Sequence, residues 1–222
     1  CWIRNKGSMK KILIPLFVIV VTIFSFAQKQ NEVRASMGID FVSVPSLKDY
    51  IDQLQYEQLT DFNSAVNFSA SYGRMISESY QLQAEVGYLL YSFTASGLNG
   101  QYDLTYSLIM PSILNYYVLN GKGYNFKFGG GVGARFLSVD ESLPGTGSTE
   151  NYSSVGYGFI LRAEGNTAIA ENVFAHIAVD ARYDVNGEPA NNGQKLYNIV
   201  YKENVNFNSL SFGVRLGISY QF

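Results

Sequence analysis

The sequence predicts an all-β fold, an eight-stranded antiparallel up-and-down transmembrane β-barrel, on three observations. The last sixteen residues alternate strictly: Leu210, Phe212, Val214, Leu216, Ile218, Tyr220 and Phe222 fall on one face, Ser211, Gly213, Arg215, Gly217, Ser219 and Gln221 on the other. A period of two with one wholly apolar face is a strand whose apolar side meets a protein core or a bilayer. The pattern recurs along the chain, and the connections alternate between short and long, as turns and loops on opposite sides of a membrane do.

Taking the chain in order, MKKILIPLFVIVVTIFSFA starts at Met9 with two lysines, runs through an apolar core and reaches the small residues Ser25 and Ala27. This has the form of a secretory signal cut after Ala27. Its core from Ile12 to Phe26 is fifteen residues, short of the roughly 20 a spanning helix needs. The expected division is residues 1–27 as upstream residues and signal peptide, and 28–222 as the barrel. Cys1 lies before the cut, so the exported part has neither disulfides nor thiolate-bound metal. Arg4, Lys6, Lys10 and Lys11 also precede it, leaving twelve of the sixteen basic side chains against eighteen acidic ones, a net charge of -6. With the basic residues dispersed, nucleic acid does not fit as a partner.

Period-two reading gives strands over approximately Val33 to Val44, Phe62 to Met75, Tyr80 to Phe93, Tyr102 to Leu119, Tyr124 to Leu137, Val155 to Ala168, Val173 to Val185 and Phe207 to Phe222. Apolar rows such as Leu82, Ala84, Val86, Tyr88, Leu90 oppose polar ones such as Gln81, Gln83, Glu85. The connections ISES, NGKG and the residues around 169–172 are tight; 45–61, 138–154 and 186–206 are long, and 96–101 is modest.

A soluble barrel of the ligand-carrier type shares the signal, strand number and alternation but turns its apolar row inward, which periodicity alone does not exclude. Three features favour lipid. Aromatics stand where outward rows cross the interface, Tyr72, Tyr80, Tyr116, Tyr124, Tyr220 and Phe222 toward the turns and Phe41, Phe136, Tyr157 and Tyr183 toward the loops. The apolar row is almost free of charge. The strands, about 12 to 18 residues, exceed the 9 to 11 that a tilted crossing needs.

The signal, the eight strands, short turns opposite long loops and the ending GVRLGISYQF resemble the small outer membrane β-barrel family, which includes the OmpA transmembrane domain and the OmpX and opacity-type proteins. The resemblance implies the cell outer membrane, contact with its lipids and lipopolysaccharide, and delivery by the barrel-assembly machinery, with Tyr220 and Phe222 matching the assembly signal. A monomer is expected. No periplasmic peptidoglycan-binding domain is expected.

With the apolar row outward, Arg34, Asp40, Glu85, Lys127, Arg135, Arg162, Glu164, His176, Asp180, Arg182 and Arg215 point into the lumen. Buried charges demand partners, and eight strands enclose a space that side chains fill. A charge network that plugs the lumen is therefore expected, with a narrow conduit as the alternative. The glycine row Gly129, Gly131, Gly133 admits large neighbours or leaves a thin gap. One histidine without cysteine offers no metal spacing, no nucleophile elbow or phosphate loop is present, and no cofactor is expected.

In the first long connection, Ser46 reads as a helix cap before Leu47, Tyr50, Ile51 and Leu54 at helical spacing, an amphipathic lid. ESLPGTGSTENYSS and DVNGEPANNGQKLYNIVYKEN read as mobile exterior loops where a surface ligand could bind. The expected function is non-enzymatic, structural or surface-interacting. The alternatives are a narrow channel for small solutes and a lipid-modifying enzyme of the outer membrane.

Overall fold

The computed structural model describes residues 31–53, 61–97, 100–144 and 148–222. The expected signal segment and Leu54 lie outside these. Eight long strands carry the architecture: β1 (Asn31–Ser43), β2 (Asn63–Ser77), β3 (Tyr80–Gly97), β4 (Gly100–Asn120), β5 (Tyr124–Ser142), β6 (Thr149–Ala170), β7 (Val173–Val185) and β12 (Ser209–Gln221). Between β7 and β12 lie four two-residue strands, β8 (Ala190–Asn191), β9 (Gln194–Lys195), β10 (Tyr197–Asn198) and β11 (Glu203–Asn204). The described residues thus hold twelve strands rather than the eight expected. The surplus lies in the last long connection, which is partly ordered by its own pairings instead of being wholly irregular. Phe207, placed in the last strand by its spacing, precedes that strand and is buried.

The main sheet runs β5-β4-β3-β2-β1-β12-β7-β6 and closes through β5–β6, all antiparallel, with β8 and β9 appended beside β6. Closure removes the unpaired edges that hydrocarbon cannot solvate. At the seam, β1 and β12 pair from Glu32↔Gln221 to Ser43↔Leu210. Asn31 and Phe222 end it by exchanging backbone hydrogen bonds of 3.0 and 2.9 Å.

The apolar row faces outward. Phe41, Phe68, Tyr88, Ile109, Phe136, Tyr157, Tyr183 and Phe212 are among its exposed members. A ring of such side chains around a closed sheet suits hydrocarbon and not water, which disposes of the ligand-carrier arrangement. Tyr116 is corrected: it is wholly buried inside, and its neighbour Tyr117 takes the outward place. The outward set of β4 is odd-numbered, Ile109, Ile113, Tyr117 and Leu119, so Tyr116 belongs to the opposite face.

On the loop side, β3 to β6 outrun the belt. β5 continues to Ser142 and β6 begins at Thr149, with pairing out to Ser142↔Thr149, so most of the expected mobile loop over 138–154 is sheet. In this extension the pattern inverts without any change of register. Outward positions become polar, with Ser92 bonded to Thr105, Thr94 to Asp103 and Asn151 to Asp140 across the strands. Inward positions become apolar, including Leu89, Tyr91, Leu104, Tyr106 and Val139. Below, the outside is oil and the inside polar; above, the outside is water, so the apolar residues move in.

The helix α1 (Pro45–Gln53) closes the top of this apolar core with Leu47, Tyr50 and Ile51. Pro45 occupies its first position, where a missing N–H costs nothing. Ser46 lies inside the helix, not at the cap, and its hydroxyl accepts the Asn206 N–H at 3.1 Å.

Candidate functional site: the barrel interior

Inward positions of the eight long strands bring together six carboxylates, Glu32, Asp40, Glu85, Glu164, Asp180 and Asp184, and six cations, Arg34, Lys127, Arg135, Arg162, Arg182 and Arg215, all buried. The set is neutral as a whole, which lowers the cost of burying it.

It falls into three tiers. Near the turns, Glu32 accepts hydrogen bonds from Arg34, Lys127 and Gln81, and Arg34 also reaches across the lumen to Glu164 at 2.6 Å. Tyr116 donates to the other oxygen of Glu164 at 3.0 Å. In the middle, Arg162 grips Glu85 with two bonds of 2.6 and 2.9 Å, the fork geometry that a guanidinium provides. Arg215 lies between Glu85 and Asp180, with its Nε 2.8 Å from Asp180. Toward the loops, Arg182 bonds Asp40 at 3.0 Å and Asp184 at 2.6 Å, and Asp184 also accepts from Arg135.

Ten of the eleven charged positions read from the sequence are therefore in ion pairs. His176 is the exception. It is buried, and neither ring nitrogen has a hydrogen-bond partner. The sequence reading missed Glu32 and Asp184, although both were within reach. Each lies two residues from an inward arginine, Arg34 and Arg182, on the same row. Without them the six cations face only four carboxylates, an imbalance of two that a buried network does not tolerate.

The glycine row serves the neighbouring strand. A side chain at Gly129 would meet the Tyr116 ring at 2.8 Å, and one at Gly131 would meet Leu114 at 2.8 Å. Leu114, Tyr116, Val118 and Ile160 form a small apolar cluster over that wall.

Above the upper tier lies the apolar core of the extension. The space between the two, lined by Val42, Leu89, Tyr106, Leu108, Arg182 and Asp184 among others, is about 10 Å³, at the lower limit for a single water; another of about 10 Å³ lies under α1, beside Leu47, Lys48 and Tyr91. At the turn end a recess of about 590 Å³ reaches inward as far as Glu32, Gln81 and Lys127. Near the top, Glu141 accepts the Tyr50 hydroxyl of α1 at 2.8 Å and the Tyr102 hydroxyl at 2.9 Å. Burial raises the Glu141 carboxyl above its ordinary range, outweighing the two phenol donors.

Among the described residues, no group of three or more His, Cys, Asp or Glu is arranged to hold a metal ion. No protein-family model matches the chain, and no curated protein sequence matches it. Solved structures do. Neisserial surface protein A is similar at 16% identity, over 86% of this chain and 97% of its own, with a TM-score of 0.51. The outer membrane protease OmpT of Escherichia coli is similar at 12% identity, over 90% and 99%, with a TM-score of 0.50. The fold is that of an outer membrane β-barrel. Ail, the attachment invasion locus protein of Yersinia pestis, also aligns, at 14% identity over 87% and 99% with a TM-score of 0.49.

Proposed function

We propose that residues 28–222 form a non-enzymatic outer membrane barrel whose eight long strands cross the bilayer and whose interior is closed to solutes. Its role is structural or surface-interacting. The observation that carries this reading is the double closure, a neutral ladder of ion pairs under an apolar core with a space of about 10 Å³ between them. Ions would have to break buried pairs and then cross a dry layer, and each step is costly. His176 faces the interior instead of the rim, so it has no access to a lipid substrate at the membrane surface.

The turns face the periplasm and the extension of β3 to β6, with α1 and β8 to β11, faces outward, among lipopolysaccharide. This extension is the platform for a surface ligand. Neisserial surface protein A is by its name a surface protein, in keeping with that reading. Tyr220 and Phe222 act as the signal read by the assembly machinery, and the barrel works as a monomer. The deciding measurement is conductance of the refolded chain in planar bilayers, with a heat-dependent gel shift certifying the fold. A folded, electrically silent protein is expected; discrete and reproducible conductance steps would replace this reading with the narrow channel.

A further inference from the structure

The outer wall of β1 to β5 carries a groove of about 690 Å³, within the roughly 300–1,000 Å³ of small-ligand sites. It exists because small residues interrupt the belt. Ala70 pairs with Val86 and Val86 with Pro111, while Tyr72 pairs with Ala84, Ala84 with Ile113 and Ile113 with Val132. With Ala134 these residues line the groove. Immediately toward the loops, Phe68, Tyr88, Ile109 and Phe136 form a continuous row of large exposed side chains in register with one another. That row closes the groove at one end.

The other end is polar. Arg74 lies two residues turnward of Tyr72 on the same outward face of β2; it pairs with Leu82, and Leu82 with Asn115, which is exposed on the outward face of β4. Neither Arg74 nor Asn115 makes an ion pair or a side-chain hydrogen bond among the described residues, whereas the six lumen cations are all paired. An unpaired guanidinium on a lipid-facing wall is costly unless an anion meets it. At this depth, three residues from the β2–β3 turn, the available anion is a headgroup phosphate, and the guanidinium fork fits a phosphodiester.

We propose that this wall binds one glycerophospholipid of the turn-side leaflet. An acyl chain fills the groove over Ala70, Ala84, Pro111 and Ala134, the phosphodiester sits on Arg74, and the Asn115 amide donates to an ester carbonyl. The site is continuous with the belt, and it rests on the reading that the belt faces a bilayer.

Native mass spectrometry of the refolded full chain tests it. The protein is released from mixed micelles containing phosphatidylglycerol, with separate arms containing diacylglycerol of the same chains or lipid A. About one phosphatidylglycerol is retained per barrel, and neither diacylglycerol nor lipid A is retained comparably. Arg74→Gln lowers occupancy roughly tenfold, as loss of one charge-assisted contact implies. Ala84→Phe fills the groove with similar effect, while Ala181→Phe, on the outward row of β7, leaves occupancy unchanged. Equal occupancy in wild type and Arg74→Gln overturns the proposal, as does comparable uptake of diacylglycerol or a preference for lipid A. The heat-dependent gel shift is run on every variant. If Ala84→Phe misfolds, Arg74→Gln alone decides, and failure of the wild type to fold in bilayers at all indicts the belt reading instead.

Discussion

Arg135 donates from Nη1 to the carbonyl of Ala134 at 2.8 Å, at the place where Pro111 interrupts the ladder between β4 and β5. The pairing runs through Ile109↔Phe136 and resumes at Ser112↔Gly133, skipping Pro111 and Met110. Proline has no N–H to offer and is normally kept out of central strands. Here the guanidinium serves the carbonyl opposite it while its Nε holds Asp184. The local backbone defect and the upper tier of ion pairs are thus one unit.

Pro111→Ala restores the missing donor and makes the barrel less dependent on Arg135. Arg135→Met alone should cost about 3 kcal/mol, since it removes one of the two cations that hold the buried Asp184 and leaves the buried network one positive charge short, and the double variant should recover roughly 1 kcal/mol of that, the worth of one hydrogen bond. Urea unfolding from bilayers, analysed as a double-mutant cycle, measures it. Strict additivity of the two changes would show that Arg135 does not compensate for the proline.

Glu85 holds both Arg162 and Arg215. Glu85→Leu should therefore destabilise by about 3–5 kcal/mol, whereas Glu188→Ala, which breaks a half-exposed pair with Lys195, should cost at most about 1 kcal/mol. The same unfolding assay compares them; similar costs would mean that the interior is hydrated and not packed.

Val214 lies exposed on the outward face of β12. Val214→Asp is expected to cost up to about 2 kcal/mol, because acidic groups are tolerated better than basic ones on a lipid face. Folding yield in bilayers reports it. An unchanged yield would mean that this face does not meet hydrocarbon.

Glu141 ties α1 to β4 and β5 through Tyr50 and Tyr102. Because its carboxyl is raised by burial, the folded extension binds a proton more readily than the unfolded chain. Its contribution is complete below the ordinary glutamate range and is lost as pH rises through the higher folded value. Hydrogen exchange in α1 should accordingly speed up as pH rises through that interval, beyond the intrinsic exchange rate. Glu141→Gln, which keeps an acceptor for both phenols, should abolish the extra dependence, and persistence of the dependence in that variant would assign it to another group.

The lower barrel was legible because a strand has a period of two and a closed wall has two different faces. Alternation in residues such as Leu210 to Phe222 yields the strand, its faces and most of the charged interior. Helical spacing likewise located Leu47, Tyr50 and Ile51. The upper half was obscured by the same logic. Tyr91, Tyr102 and Tyr106 obey period two, but periodicity records only that the faces differ and is silent about which medium each one meets. At the rim of the belt that medium changes from lipid to water, and the apolar row changes sides.

The sequence by itself determined the eight long strands, the short turns that join them in pairs and a polar interior, since each follows from local periodicity and composition. Only the tertiary structure decided the partners. Arg34 with Glu164 and Lys127 with Glu32 are separated by 130 and 95 residues, and the stagger of strands around the closed ring sets which charges meet. The same closure places Arg74 beneath a groove of small side chains drawn from four strands. No local pattern encodes that neighbourhood, because it exists only once the sheet has joined its own edge.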